Sequence, residues 1–180
     1  MTFARKLAAP ALLTVLVLAC GASGQKQEQP SSQQEGQAAP AAALRPAPDF
    51  SLEKVDGSGS LSLSELKGKV LIVDFWATWC PPCRAEVPEL VKVYKAYKDK
   101  GFEIVGISFD QDKNAFESYV KENDMPWPQY FDGKGWENEV GPTYGIQSIP
   151  AMYLVDGSGK IISTDLRNGK LEEELKKIIK

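Results

Sequence analysis

Two cysteines separated by two residues are the feature of this sequence best suited to chemistry. Cys80 and Cys83 stand between an apolar run and a stretch with helical spacing. A Cys-x-x-Cys pair between a strand and a helix is typical of a thiol–disulfide redox motif. The spacing lets both sulfurs meet within one helical turn, and the helix N-terminus favours the thiolate of the first cysteine. Cys80 is therefore the expected nucleophile, and Cys83 the thiol that resolves the mixed disulfide.

The same pair has two other interpretations, a structural disulfide and half of a zinc site. A closed zinc site needs four ligands, and the chain has no histidine and no second cysteine pair. The lack of histidine also excludes Cys-His nucleophile pairs and a histidine pH switch. We therefore expect no metal and no cofactor other than a redox-active disulfide between Cys80 and Cys83.

Two carboxylates near the cysteines are candidates for moving protons. Asp74 interrupts an apolar strand six residues before Cys80, where a carboxylate without a partner is costly. Burial should raise its pKa toward neutral pH, as a proton acceptor needs; the alternative is an aspartate that caps the following turn. Glu86 follows Cys83 by three residues on the same helical face. Its alternative is a solvated acid that favours the helix N-terminus.

The composition is that of one globular domain. The chain has 180 residues, of which 43% are hydrophobic and 25% charged, and its formal net charge is −3. These values exclude collagen, a coiled coil and a fully disordered chain. The charge is also too small to suggest nucleic acid as the main partner.

The cysteine pair needs a strand that ends and a helix that begins beside it. Residues 70–76 form a nearly continuous apolar run, which suits a central strand buried on both faces. Over residues 81–100 apolar side chains recur with helical spacing, and Pro81 and Pro82 fit the first turn.

The remaining elements are shorter. The sequence predicts two hairpins, one that pairs 49–52 with 60–63 and one that pairs 151–155 with 160–164. Further strands are predicted at 102–108 and 129–131. Further helices are predicted after the capping residue Asp112, at 136–144 and at 171–179. Strands that alternate with helices, followed by a hairpin and a helix, imply an α/β fold with a mixed sheet.

The N-terminal residues 1–19 have the pattern of an export signal. Arg5 and Lys6 precede an apolar run that is too short to span a bilayer. The run ends at Cys20. Residues 17–20 resemble a bacterial lipobox, in which the cysteine is lipidated and becomes the new N-terminus. The alternative is a plain secretory signal that contains a cysteine.

A tether follows the predicted lipidation site. Residues 20–46 are rich in Gln, Ser, Ala, Gly and Pro and show no hydrophobic period, which is typical of a disordered spacer. The folded domain is expected over residues 47–180.

The residues around the cysteines resemble a known family. The segment 73–83 is similar to the active-site stretch of the thioredoxin superfamily, and Ile149-Pro150 resembles its cis-proline loop. The similarity is greatest to the membrane-tethered bacterial branch called TlpA-like or ResA-like, related to the AhpC/TSA group. It covers about residues 47–180, with 102–144 as that branch's central insertion. The resemblance implies a thioredoxin-like α/β fold: a mixed central sheet flanked by helices, an N-terminal hairpin and a central αβ insertion.

The resemblance also implies roles for individual residues. It implies that Asp74 lies beneath Cys83 and accepts its proton through water, and that Glu86 lies by the thiols and tunes them. A cis bond at Pro150 exposes neighbouring backbone for pairing with an extended substrate. The residues expected to contact substrate are Trp79, Pro81 and Ile149. Trp76 and Trp79 are expected to wall the site, although packing alone would also explain both.

The direction of electron flow follows from how strongly the Cys80 thiolate is stabilised. Pro81 and Pro82 have no N–H, so between the cysteines there is no backbone donor. No histidine adds positive charge. A modestly stabilised thiolate favours a reductase over an oxidase.

The expected partners and location follow from these features. We expect disulfide-containing envelope proteins as substrates and a membrane thiol reductase as electron donor. The protein is expected to attach to a membrane through lipid on Cys20, to bind no nucleic acid and to be a monomer. The expected location is the bacterial cell envelope, facing the periplasm. Gly21 rather than Asp after Cys20 favours the outer membrane in a two-membrane cell.

Other functions stay open at this point. A peroxiredoxin-like peroxidase needs Thr three residues before its reactive cysteine, where this chain has Ala77. A dedicated haem-pathway reductase usually shows Gly-x-Pro-Glu, which residues 148–151 do not match. A non-enzymatic lipoprotein that uses the fold as a binding module is the third alternative.

Overall fold

The computed structural model describes residues 45–164 and 166–180. In chain order its strands are β1 (Arg45–Pro46), β2 (Ser51–Glu53), β3 (Ser60–Ser62), β4 (Val70–Trp76), β5 (Phe102–Ser108), β6 (Gln129–Tyr130), β7 (Ala151–Val155) and β8 (Lys160–Ser163). Its α-helices are α1 (Pro81–Tyr97), α2 (Lys113–Glu122), α3 (Gly141–Tyr144) and α4 (Lys170–Ile178), and 3₁₀ turns cover Ser64–Leu66, Lys98–Lys100 and Gly135–Glu137.

Six of the strands form one mixed sheet in the order β1-β8-β7-β4-β5-β6. The central strand β4 runs parallel to β5 and antiparallel to β7, and its apolar residues are almost all buried. The strands β2 and β3 pair as a separate antiparallel hairpin. The predicted α/β fold with a mixed sheet and both hairpins is thus confirmed.

The position of β4 explains where the cysteines lie. Because β5 is parallel to β4, both strands end at the same edge of the sheet. Because β7 is antiparallel, it begins at that edge, with Ala151 opposite Phe75. The residues after β4, those after β5 and those before β7 therefore meet at one place, although they are far apart in the sequence.

Helix α1 begins directly after Cys80. Pro81 and Pro82 occupy its first turn, where a missing N–H costs no hydrogen bond. The buried face of α1 carries Cys83, Val87, Leu90, Val93, Tyr94 and Tyr97. The α-helix ends at Tyr97 and continues as a 3₁₀ turn to Lys100, so the predicted helical segment 81–100 is helical throughout.

The central insertion contains one correction. The predicted single helix at 136–144 is wrong, because a 3₁₀ turn and α3 divide this segment. The division is made by Asn138, which is completely buried. Its amide donates to the carbonyl of Gly135 and its oxygen accepts from the N–H groups of Val140 and Gly141. A side chain that satisfies backbone groups in this way replaces the hydrogen bonds of a continuous helix.

The folded part begins earlier than the sequence indicates. Arg45 and Pro46, assigned above to the tether, form β1 and pair with Ile161 and Lys160 at the edge of the sheet. The predicted signal at 1–19, Cys20 and most of the tether lie outside the described residues. Within the described ranges, no helix is both long enough and apolar enough to cross a membrane.

Candidate active site

The two cysteines form a buried disulfide at the N-terminus of α1. The sulfurs of Cys80 and Cys83 are 2.09 Å apart and the Cα atoms 5.3 Å apart. Cys80 is the N-cap of α1, and its Sγ accepts a hydrogen bond of 3.2 Å from the N–H of Cys83. Pro81 and Pro82 donate nothing, but the N–H of Cys83, which the sequence did not reveal as a donor, does. The Cys80 sulfur therefore has one backbone donor in addition to the helix N-terminus.

The loop before β7 lies against this disulfide. The carbonyl oxygen of Ile149 is 3.9 Å from Sγ of Cys80. The Ile149–Pro150 peptide bond is cis, as the resemblance implies. Both residues are only partly buried. An extended chain that reaches Cys80 would therefore meet the backbone of this loop.

A buried carboxylic acid lies in the strand that leads to the disulfide. Asp74 is 2% exposed, stands in β4 between Gly106 and Met152 of the neighbouring strands, and has one oxygen, Oδ1, without a hydrogen-bond partner. Burial and, to a smaller extent, the negative charge of Glu86 raise the pKa of Asp74 to about 7. This group can accept or release a proton near neutral pH.

Glu86 is the second acid of the site. It is partly buried on α1, one turn after Cys83. Burial and the neighbouring Glu89 raise its pKa, whereas the positive charge of Arg167 opposes the shift. The charge of Glu86 is the second cause of the raised pKa of Asp74, whereas the shift of Glu86 itself comes from burial and Glu89.

Another carboxylate, which the sequence analysis missed, holds the turn before Cys80. Asp110 is buried just after β5 and accepts hydrogen bonds from the backbone N–H of Thr78 (3.1 Å), the Thr78 hydroxyl (2.6 Å) and the Ser108 hydroxyl (2.8 Å). The alternative interpretation of Asp74 was a cap for the turn that follows β4. Asp110 caps that turn instead. The sequence signal for this contact is a polar residue just after each of two adjacent parallel strands, Thr78 after β4 and Asp110 after β5.

Two exposed tryptophans lie beside the disulfide. Trp79 is 52% exposed, and its Nε1 donates to the carbonyl of Phe109 at 3.2 Å. Its ring centroid is 6.4 Å from that of Trp136, which is 50% exposed and packs edge-on against the Phe109 ring at 4.8 Å. Trp79 was predicted at the site from the sequence, whereas Trp136 was not. Together the two rings form an exposed aromatic surface, which we call the tryptophan pair.

Trp76 and Pro81 differ in exposure. Trp76 is buried against Phe116 and Tyr119 of α2, so it belongs to the core and does not wall the site. Pro81 is exposed on the first turn of α1, next to Cys80.

Comparisons with known proteins agree with this geometry. Residues 43–164 match the family described as AhpC/TSA. The thiol-disulfide oxidoreductase ResA of Bacillus thuringiensis subsp. konkukian is 36% identical over 135 residues, which are 73% of this chain and 76% of that protein. Tryparedoxin of Trypanosoma brucei brucei is 39% identical over 119 residues, 64% of this chain and 81% of that protein.

A solved structure is similar over most of the folded part. The thioredoxin domain of a thiol-disulfide oxidoreductase from Bacteroides vulgatus superposes with a TM-score of 0.71 at 36% identity. The match covers 77% of this chain and 99% of that domain.

Proposed function

The chain belongs to the AhpC/TSA family and is a thiol-disulfide oxidoreductase of the ResA-like kind, and from this premise we propose that it reduces disulfides in proteins outside the cytoplasm. The observation that supports this most directly is the placement of Cys80. Its sulfur caps a helix N-terminus, accepts the N–H of Cys83 and lies 3.9 Å from the carbonyl of Ile149. A thiolate there is stabilised, and a substrate strand can align beside it.

The reaction proceeds in two exchanges. The thiolate of Cys80 attacks one sulfur of the substrate disulfide, forms a mixed disulfide and releases the other substrate sulfur as a thiolate. Cys83 then loses its proton and attacks Sγ of Cys80, which releases the second substrate thiolate and forms the Cys80–Cys83 disulfide. Two electrons pass from the cysteine pair to the substrate. We assign this chemistry to the two cysteines themselves, with no further cofactor.

We assign to Asp74 the acceptance of the Cys83 proton, through water. Its pKa near 7 suits this step, because a carboxylate with an ordinary pKa is a weak base toward a thiol. Glu86 acts on the step through Asp74, since its charge favours the protonated form of Asp74. It is therefore a positioning residue rather than a catalytic one.

The substrate surface surrounds the disulfide. Trp79 of the tryptophan pair directly precedes Cys80, and the carbonyl of Ile149 lies 3.9 Å from Sγ of Cys80. Pro81 adds an exposed apolar ring next to Cys80. Such a surface favours an unfolded or extended polypeptide with apolar side chains near its disulfide over a small polar disulfide.

Reduction, rather than oxidation, is supported by the limited stabilisation of the Cys80 thiolate. One N–H reaches its sulfur, the two prolines donate nothing, and the chain contains no histidine. The test is equilibration with glutathione redox buffers, followed by insulin reduction by the reduced protein. A midpoint potential close to that of thioredoxin, about −270 mV, supports a reductase, and one near the −120 mV of a strong oxidant contradicts it. Consumption of hydrogen peroxide faster than of insulin would indicate a peroxidase instead.

We propose that the domain is anchored through lipid on Cys20 and faces the periplasm of a bacterial envelope. Support comes from the residue pattern of 1–20 and from the tether-like composition that follows it. There it would act on envelope proteins and receive electrons from a membrane thiol reductase. Cys20→Ser should move the protein from the membrane fraction to the soluble fraction, with Cys83→Ser as the control that stays membrane-bound. A wild-type protein that is already soluble contradicts the anchor.

A further inference from the structure

Asp110 is a buried carboxylate that forms no ion pair within the described residues. It lies two residues after the end of β5 and is 2% exposed. Removing a charge from water without a cation is costly unless hydrogen bonds compensate for the lost hydration. The donors around Asp110 therefore show which part of the molecule it holds.

The hydrogen bonds of Asp110 connect the ends of two adjacent strands. On the side of β5, the hydroxyl of Ser108 donates to Oδ2 at 2.8 Å and accepts the N–H of Asp110 at 2.9 Å. On the side of β4, the nitrogen of Thr78 lies 3.1 Å from both carboxylate oxygens, and its hydroxyl donates to Oδ1 at 2.6 Å. Hydrogen bonds to an ionised group are about twice as strong as neutral ones. Thr78 is thus the residue through which Asp110 holds the turn after β4.

Further hydrogen bonds carry this attachment to the nitrogen of Cys80. The N–H of Phe109 donates to the carbonyl of Trp76 at 2.8 Å, and its own carbonyl accepts Nε1 of Trp79 at 3.2 Å. The N–H of Cys80 then donates to the carbonyl of Ala77 at 3.2 Å, which closes the turn. The backbone before Cys80 is therefore fixed against the residues that follow β5.

The position of the Cys80 sulfur depends on this turn most strongly in the reduced protein. In the oxidised protein the bond to Cys83 also fixes the sulfur. Reduction breaks that bond, and the sulfur is then placed only by the backbone on its two sides, α1 after it and the turn before it. The interaction of a charge with a helix N-terminus falls off within the first turn. A small displacement of the sulfur therefore weakens the stabilisation of its thiolate.

We propose that Asp110 is a positioning residue for the exchange reaction, which through Thr78 keeps the reduced Cys80 sulfur at the N-terminus of α1 and beside the carbonyl of Ile149. The proposal rests on the proposed function, in which Cys80 is the attacking thiol. Asp110 acts by position and not by charge. Its negative charge alone would disfavour a thiolate at Cys80, so a variant that loosens the turn and keeps the charge isolates the positional effect.

The test is the pH profile of iodoacetamide alkylation of the reduced full chain, mapped by mass spectrometry so that Cys80 is measured separately from Cys20 and Cys83. Thr78→Val removes the hydroxyl hydrogen bond and leaves Asp110 charged. The acid dissociation constant of the Cys80 thiol should fall about two- to fivefold, the scale on which a helix N-terminus stabilises a charge. Thr78→Ala loses the same bond without placing a methyl group against the carboxylate and should act in the same direction. Thr78→Ser should restore the wild-type value.

Two comparisons connect the effect to Asp110. Thr143→Val is the matched control, because the hydroxyl of Thr143 donates to the carbonyl of Val140 at 2.7 Å on α3, and it should leave the dissociation constant unchanged. In an Asp110→Ala background no carboxylate remains, so Thr78→Val should have no further effect. The indole N–H signal of the buried Trp76 reports whether each variant is folded.

Two results would overturn the proposal. One is a dissociation constant that does not fall in folded Thr78→Val or Thr78→Ala. The other is an equal decrease caused by Thr78→Val with and without Asp110. Alkylation involves no disulfide substrate, so neither result bears on the reduction of protein disulfides. Failure of the wild type to reduce insulin, in turn, would leave the alkylation result unchanged.

Discussion

The negative charge of Glu86 on α1 adds to burial in raising the pKa of Asp74 on β4 to about 7. A helix residue that follows the cysteine pair thus makes a strand residue a weaker acid, in addition to the larger effect of burial. The consequence is a buried carboxyl group, in the strand that leads to the disulfide, that titrates near neutral pH.

Asp74→Asn should slow turnover at pH 7 without preventing folding. Asparagine has nearly the same shape, but it cannot accept the proton of Cys83. The loss should be about ten- to a thousandfold, the scale on which a general base contributes. It should shrink as the pH rises and Cys83 ionises unaided. The measurement is the pH profile of insulin reduction for wild type and variant. Parallel profiles at every pH, or no loss at pH 7, would make Asp74 a structural residue.

Glu86→Gln should lower the pH at which activity rises. Without the negative charge of Glu86, burial alone raises the pKa of Asp74, so its carboxylate forms at lower pH. Carbon-13 NMR of the Asp74 carboxyl gives this pKa directly in wild type and variant. Glu173→Gln on α4 is the matched control and should leave it unchanged. An unchanged Asp74 pKa in Glu86→Gln would refute the coupling of the two acids.

Asp74→Asn should also stabilise the oxidised protein, increasingly so at higher pH. The folded pKa of Asp74 is raised from 3.8 to about 7, so the unfolded chain binds fewer protons between these values. The free energy of unfolding of the wild type therefore falls as the pH rises from about 4 to about 7. The variant lacks this loss, and its advantage should reach a few kcal/mol above pH 7. Urea denaturation at pH 4 and pH 8 measures it.

The control for this stability effect is the same chemical change at an exposed position. Asp112 caps α2, and its Oδ1 accepts the backbone N–H groups of Asn114 and Ala115. Asparagine caps helices about as well, so Asp112→Asn should change the free energy of unfolding by less than about 0.5 kcal/mol. Equal effects of the two variants at pH 8 would show that burial of Asp74 has no energetic cost.

Trp136→Ala should weaken the binding of protein substrates but not of small ones. The exposed ring extends the apolar surface of Trp79 beside Cys80. Its loss should raise the KM for insulin about three- to tenfold, the scale of one aromatic contact, and leave the rate with hydroxyethyl disulfide unchanged. Ile178→Ala removes an exposed hydrophobic side chain on α4 and is the control. A parallel loss with both disulfides would mean that Trp136 supports the site structurally.

The part of the site that the sequence predicts is the part that is contiguous. Residues 70–83 contain a buried strand, Asp74, both cysteines and the first turn of a helix. Local patterns and the Cys-x-x-Cys spacing were enough to place them relative to one another. Pro150 was predicted only through the family resemblance, because its approach to Cys80 depends on the antiparallel pairing of β7 with β4.

Asp110 and Trp136 were missed for a related reason. Asp110 reaches Thr78 only because β4 and β5 end at the same edge of the sheet, and neither segment alone contains that information. Trp136 lies in a segment that was predicted to form one helix, whereas the buried side chain of Asn138 divides it. A side chain that satisfies backbone groups leaves little signal in hydrophobic periodicity.

The division of roles between Cys80 and Cys83 is central to the proposed mechanism, and a mixed-disulfide trap tests it directly. Reduced Cys83→Ala is mixed with insulin, quenched with acid, and mapped by mass spectrometry, with Cys80→Ala treated in the same way. Cys80 should carry insulin as a stable mixed disulfide in the first variant, since no thiol remains to resolve it. The second variant should form little adduct. An adduct on Cys83 in Cys80→Ala at a comparable rate, or no adduct on Cys80 in Cys83→Ala, would contradict the mechanism.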